Sequence, residues 1–352
     1  MIIPFFILHH GCPNRCIFCN VHKIAGNNPE SLTEQSFRET IHKYLSNTKR
    51  NTAHTQIAFY GGNFTGMEKE HQVKLLKFAH SYIQNGQVDD IRISTRPDAI
   101  DNEGLELLKR FGVSTVEIGA QSFVDEVLKR SHRGHSSSDV VHAMNMLKER
   151  GFKTGIHIML GLPDDDRSGY EYSVRKTIAL KPDMVRIHPT IVFQDTVLAE
   201  LFVKGAYIPL SMSEALDMCT YALEKFSEAQ IPVIRLGLQT NREMENPGSI
   251  VAGPYHPAFR SLVEESIFFT MASSMLTEEA STGKEIIFSL AQKDVSAFRG
   301  QRNKNLQRLK NTHRLAGITV KTDQKQEEGA VFMTVEGRTW KVRKFGTPER
   351  YA

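Results

Sequence analysis

The stretch FILHHGCPNRCIFCNVHK, residues 6–23, holds three of the chain's four cysteines, Cys12, Cys16 and Cys19, within eight residues. These cysteines come just after an apolar run, IPFFIL (3–8), that reads as a short strand. The spacing is C-x3-C-x2-C. A zinc site normally takes four protein ligands, and His22 is available as the fourth. Zinc knuckles, however, usually separate their cysteine pairs by a longer interval. Three thiolates in one tight loop at a strand end suit a cubane 4Fe–4S cluster. Three ligands for four irons leave one iron open to bind something else, so the missing fourth cysteine is informative in itself. His9 and His10 precede the loop and are read as shaping it.

Downstream of that loop, β-branched apolar runs alternate with stretches of helical period. The strand candidates are QIAFYGG (56–62), IRIST (91–95), TVEIGAQ (115–121), TGIHIMLGLP (154–163) and VRIHPTIVF (185–193), with IPVIRLGLQ as a further one. Segments such as EKEHQVKLLKFAHSYI and SDVVHAMNMLKER between them are apolar on one helical face. Strand alternating with helix argues βαβ units and a parallel sheet. The expected class is α/β, a partial or open (β/α)6 TIM-like barrel followed by a small basic α+β domain. In such barrels the chemistry sits on loops leaving the C-terminal strand ends. The cysteines, GGNFT, STRPD, AQSF and GLPDDD all fall there.

The cysteine spacing, with Phe18 just before the last thiol, resembles the radical S-adenosylmethionine (radical SAM) superfamily. The resemblance implies a 4Fe–4S cluster on Cys12, Cys16 and Cys19, with SAM chelated to the open iron. It implies an external electron donor and cleavage of SAM to methionine and a 5′-deoxyadenosyl radical. It also assigns SAM contacts: Gly61, Gly62 and Asn63 near the amino group, Ser94 and Arg96 near the ribose, Gln121 and Arg133 at the carboxylate, and Leu160 at the adenine edge. An arginine fork suits a carboxylate. Asn63 stands where many relatives carry Glu or Thr. STRPD, GAQSFVDEVLKRSHRGH, IMLGLPDDD, VIRLGLQ and GPYHPAF narrow the resemblance to the Elongator catalytic subunit family, over roughly residues 1–275. Weaker similarity to oxygen-independent coproporphyrinogen oxidases covers the SAM-binding strands only. The acetyltransferase domain of the Elongator enzymes is not expected here, because residues 285–352 are too few and no acetyl-CoA pyrophosphate loop occurs.

Charge is uneven. Residues 284–352 carry 15 Lys and Arg against 7 Asp and Glu, while the rest of the chain carries 29 against 33. A basic module on a mildly acidic body points to a polyanionic partner. The expected domains are 1–276, the barrel with an extension, and 284–352. Element order around FRGQRNKNLQRL resembles a KH domain, whose G-x-x-G loop clamps nucleic-acid backbone. That implies Gly300, Gln301, Arg302 and Lys304 as RNA contacts, with Asn303 in place of the second glycine. On the substrate side, Tyr255, His256, Arg186 and His188 are the candidates, as groups that donate or accept protons.

The expected function is a radical SAM enzyme acting on RNA, tRNA in particular. The alternatives are a protein or small-metabolite substrate, or a non-catalytic zinc-bearing RNA-binding protein. No apolar run approaches the roughly 20 residues of a membrane helix, so a cytoplasmic protein is expected. In a reducing compartment, clustered cysteines signify metal or redox chemistry rather than disulfides.

Overall fold

The computed structural model describes residues 1–7, 12–13, 15–20, 32–46, 54–279, 281–323 and 326–351. His9, His10 and His22 lie outside the described residues. Two compact units emerge: Met1–Ala215 with Lys225–Pro257, and Leu216–Glu224 with Ala258–Ala352.

In the first unit, strands β1 (Ile2–Phe6), β2 (Gln56–Tyr60), β3 (Asp90–Thr95), β4 (Val113–Gln121), β5 (Lys153–Leu160) and β6 (Met184–Pro189) pair in parallel in chain order. The run 185–193 is broken after Pro189, and Val192–Phe193 forms a separate β7. Proline at that point removes a ladder donor. The sheet gains a seventh member in β8 (Val233–Leu236), beside β6, so its two edges are β1 and β8 and the sheet is open. β9 (Ile250–Ala252) pairs antiparallel with β7.

The alternation along these strands separates two faces. Ile91, Ile93, Val116, Ile118, Ile156, Ile158, Val185 and Ile187 are buried. The intervening positions include Arg92, Glu117, Gly155, His157, Arg186 and His188, and they share the opposite face by the two-residue period. A parallel sheet buried on both faces would be apolar throughout; this one has a polar interior. The covering helices are set by local signals. Asp101 caps Asn102–Arg110 by accepting from the Gly104 N–H, and Ser136 with Asp139 forms a capping box on Ser137–Glu149. Leu105 and Leu108 of the first helix, and Val140, Ala143, Met144 and Leu147 of the second, are buried.

In the second unit, β10 (Glu285–Leu290), β11 (Gly317–Thr322), β12 (Ala330–Val335), β13 (Arg338–Arg343) and β14 (Glu349–Tyr351) form one sheet in the order β11-β10-β12-β13-β14. β10 and β11 run parallel, joined through the short helix Val295–Arg299, a loop, and the helix Lys304–Thr312. The strand–helix–loop–helix–strand order read from the sequence is therefore present. Phe288, Phe298 and Phe268 form its aromatic core.

Candidate active site

The cysteine loop is anchored by its middle. The Ile17 N–H donates to the Ser131 carbonyl (3.2 Å), and the Ile17 carbonyl accepts from the Leu198 N–H (2.9 Å). Ile17 is buried with Val192, Leu198 and Tyr207. Phe18 packs against that cluster and against Val127, Met159 and Leu162. These contacts fix the backbone between Cys16 and Cys19, whose own N–H···O=C bond closes a turn at 3.1 Å. Cys12 is exposed, and Cys16 and Cys19 are half-buried.

The strand ends converge on this loop. Arg133 donates from Nη1 to Cys16 Sγ (3.2 Å) and from Nη2 to the Gly119 carbonyl (2.7 Å). A Cβ at Gly119 would lie 2.9 Å from Gln121 Nε2, so a side chain there would displace that amide. Gln121 ends β4 at φ 69°, left-handed, beside a bulge against β5. Strain of that kind persists only where the surroundings impose it. Arg96 reaches Asp98 through Nε (2.9 Å) and Nη2 (2.8 Å), and also bonds the Arg133 carbonyl. Asn63 Oδ1 accepts from Thr95 Oγ1 (2.6 Å) and the Arg96 N–H (3.1 Å), tying the glycine turn to the end of β3. Gly61 takes φ 83°, a conformation suited to glycine. Three buried polar atoms of this group have no hydrogen-bond partner among the described residues: Arg96 Nη1, Gln121 Oε1 and Arg133 Nε.

Below this rim lies a buried ion network that the sequence reading did not single out. Glu117 accepts from Arg92 Nη1 (2.9 Å) and from Arg186 Nη2 (3.0 Å), and Arg186 Nε lies 2.6 Å from its other oxygen. Gln56 Oε1 accepts from Arg92, and the Tyr60 hydroxyl accepts from Arg186 Nη2 at 2.7 Å. Charged residues at alternate positions of apolar strands were the signal available. His157, also passed over, touches His188, with ring centroids 4.3 Å apart. Ser94 stands on β3 opposite Glu117 in register. Leu160 is fully buried, and its carbonyl accepts from Thr190 Oγ1 (2.8 Å). Tyr255 packs on Ile191, Phe193 and Met244 and bonds Thr240 Oγ1 (3.2 Å). His256 follows it, half-buried.

The described portion of the chain thus presents a cysteine loop over an open parallel barrel. Residues 6–173 match the family described as the Radical SAM superfamily, and residues 182–268 match the Radical_SAM C-terminal domain. The chain belongs to the radical SAM superfamily. The tRNA uridine(34) acetyltransferase of Methanocaldococcus jannaschii is 26% identical over 249 residues, which are 60% of this chain and 46% of that protein. Elongator complex protein 3 of Mus musculus is 24% identical over 255 residues, 59% of this chain and 46% of that protein. The chain spans about half the length of the curated relatives it matches. Among solved structures, the archaeal Elp3 of Methanocaldococcus infernus with an N-terminal deletion superposes with a TM-score of 0.59 at 22% identity, covering 76% of this chain and 62% of that one. That likeness concerns the fold.

This radical SAM enzyme therefore takes a 4Fe–4S cluster and SAM, and its residues fit both. Cys12, Cys16 and Cys19 would ligate the cluster through their thiolates. Among the described residues no three His, Cys, Asp or Glu side chains converge on a single metal ion. The unpartnered Arg96, Arg133 and Gln121 atoms are donors and an acceptor of the kind that SAM's carboxylate, amino and hydroxyl groups require. When bound, the cluster and SAM supply one-electron cleavage of a carbon–sulfur bond and, from it, hydrogen-atom abstraction. The chain's part is orientation and charge: Arg133 holds a cysteine sulfur and a strand-end carbonyl at once, while Asp98 and Asn63 set Arg96.

In the second unit, Gly300 takes φ 68°, and a Cβ there would lie 3.1 Å from Asn305 Cγ. Asn305 is buried and donates to the Glu265 (2.8 Å) and Phe298 (3.2 Å) carbonyls, which pins the loop. Arg302 and Asn303 are both left-handed, at φ 53° and 60°. Gln301, Arg302, Asn303 and Lys304 are exposed. No described helix is long and apolar enough to cross a membrane.

Proposed function

We propose that this radical SAM enzyme modifies RNA, with a uridine of tRNA as the reacting nucleotide and the loop Gly300–Lys304 as a backbone clamp. One observation carries the reading. In the second unit, Arg299, Arg302, Lys304 and Lys310 are exposed along the loop and the helix that follows, with no ion pair among the described residues. Arg308 there lies over the Phe269 ring (3.9 Å). Several bases of the sheet region differ, since Lys341 and Arg343 hold Glu327, Arg338 holds Glu279 and Lys344 holds Glu264, although Lys321 and Arg350 are also exposed with no ion pair among the described residues. Cations left unpaired on one helix and its loop suit phosphates. The names of the relatives, a tRNA uridine(34) acetyltransferase and Elongator complex protein 3, point to the same substrate.

The test is anaerobic reconstitution of the cluster, addition of SAM and reductant, and measurement of 5′-deoxyadenosine with and without bulk tRNA. A clear rise with tRNA is expected. Production that ignores tRNA would move the assignment to a protein or metabolite substrate.

A further inference from the structure

His157 and His188 belong to none of the groups that bind the cysteine loop or SAM. In register, His157 lies between Gly119 of β4 and Arg186 of β6, and His188 lies beside Met159. Both occupy the polar face of the half-barrel. Arg133, bound to Cys16 and to the Gly119 carbonyl, stands on one side of His157, and Arg186, bound to Glu117 and Tyr60, on the other. The pair thus sits between the rim that receives the cofactor and the buried ion network beneath it.

The two rings meet edge to face, centroids 4.3 Å apart and planes 66° apart. Nε2 of each is buried with no hydrogen-bond partner among the described residues. His80 by contrast uses Nδ1 on the Phe111 carbonyl (3.0 Å) and His313 uses Nε2 on Ser273 Oγ (2.8 Å), while His135, whose Nδ1 is also buried without a partner among the described residues, still reaches the Ala120 carbonyl through Nε2 (3.2 Å). An unmade hydrogen bond at a buried polar atom is costly, and two on adjacent rings inside a barrel mark a place kept for a partner. Burial, then the neighbouring arginines, holds His157 at a pKa of about 3, and burial with His157 and Arg186 holds His188 well below its ordinary value. Both rings are therefore neutral in the physiological range. A neutral imidazole offers one N–H and one lone pair, and an anion would go to the arginines instead.

We propose that His157 and His188 are substrate-positioning residues whose Nε2 atoms take the donor–acceptor edge of a neutral cyclic imide, the edge that a uracil base presents at N3–H and O4. The inference rests on the RNA reading above and adds the residues that would select the base. A base reaching this depth has left its stack, as enzymes acting on bases require.

The experiment measures binding, not turnover. Cluster-loaded protein with SAM is titrated with RNA hairpins whose loop presents one uridine or one 3-methyluridine, and the ratio of dissociation constants is read. The wild type is expected to favour uridine about tenfold, the worth of a hydrogen bond with a buried partner. His157→Phe and His188→Phe should bring the ratio to one, and His157→Gln, which can still donate and accept, should restore part of it. A role in folding alone would weaken both hairpins equally and leave the ratio intact. If a Phe variant loses its cluster absorbance, the Leu variant at the same position replaces it. Wild-type binding without discrimination, or Phe variants that keep the wild-type ratio, would overturn the inference and leave the RNA reading standing. No hairpin binding at low salt would overturn both.

Discussion

Gly155 on β5 faces Glu117 on β4 in register, and a Cβ at 155 would lie 2.9 Å from Glu117 Cγ and 3.2 Å from Met184 Cγ. The glycine makes room for the carboxylate that joins Arg92 to Arg186. Gly155→Ala should therefore act as overpacking beside a buried ion network, costing about 1–3 kcal/mol. Denaturant unfolding of the wild type and the variant measures this, and an unchanged midpoint would show that Glu117 can shift freely.

The carboxylate itself matters more. Glu117 is 4% exposed and is the acid that Arg92 and Arg186 share. Removing one partner of a buried pair leaves charge uncompensated, so Glu117→Ala should destabilise by about 3–5 kcal/mol. Glu117→Gln keeps an acceptor for one arginine and should lose less. Equal losses in the two variants would mean that charge, not hydrogen bonding, holds the arginines.

Much of this was legible in the sequence, for a physical reason. The loop motifs at successive strand ends carry unusual residue types, and the parallel β–α alternation places such ends together. Cys16, Gln121 and Arg133 could be grouped on that ground. Arg92, Glu117 and His157 were passed over because each stands alone in its strand, with its partners 25 to 69 residues away in the interactions described. The period-two alternation of IRIST and TVEIGAQ did contain the signal, since a parallel strand with one charged face needs a polar interior. Which polar residues meet depends on stagger between strands, and a single sequence does not give stagger.

Asp165, in GLPDDD, makes a pH prediction. Burial, then repulsion from Asp166, raises its pKa to about 7 from the ordinary 3.8. The folded state thus holds a proton that the unfolded state has released between about pH 4 and 7, so stability falls as pH rises through that window and levels off above it. Asp165→Asn removes the dependence. At pH 8 the variant should exceed the wild type by on the order of 1 kcal/mol or more, and the gap should close towards pH 4. A gap that does not change with pH would refute the assignment.

The unpaired bases of the second unit predict a salt slope. If Arg302 and Lys304 each contact a phosphate, each alanine substitution should weaken RNA binding and lower the slope of log K against log salt by roughly 0.7–0.9. Lys341→Ala, at a base already held by Glu327, should leave the slope unchanged. Equal slopes in all three variants would place the RNA elsewhere.

The cysteines divide by accessibility, which allows the metal assignment to be tested without turnover. Cys219 is fully buried, and burial drives its thiol pKa upward, so the thiolate that reacts with alkylating agents is suppressed there. Cys12 is exposed, and Cys16 and Cys19 are half-buried. In metal-free folded protein, iodoacetamide should modify Cys12, Cys16 and Cys19 and spare Cys219 until denaturant is added. Reconstitution with iron and sulfide should protect all three loop cysteines together, since one cluster engages them as a set. A single zinc ion held by the loop would also protect them, so protection is read beside metal content: about four irons per chain supports the cluster, and one zinc supports the alternative site. If Cys12 stays reactive while Cys16 and Cys19 are protected, the three cysteines do not share a cluster, and the ligand set must be sought elsewhere.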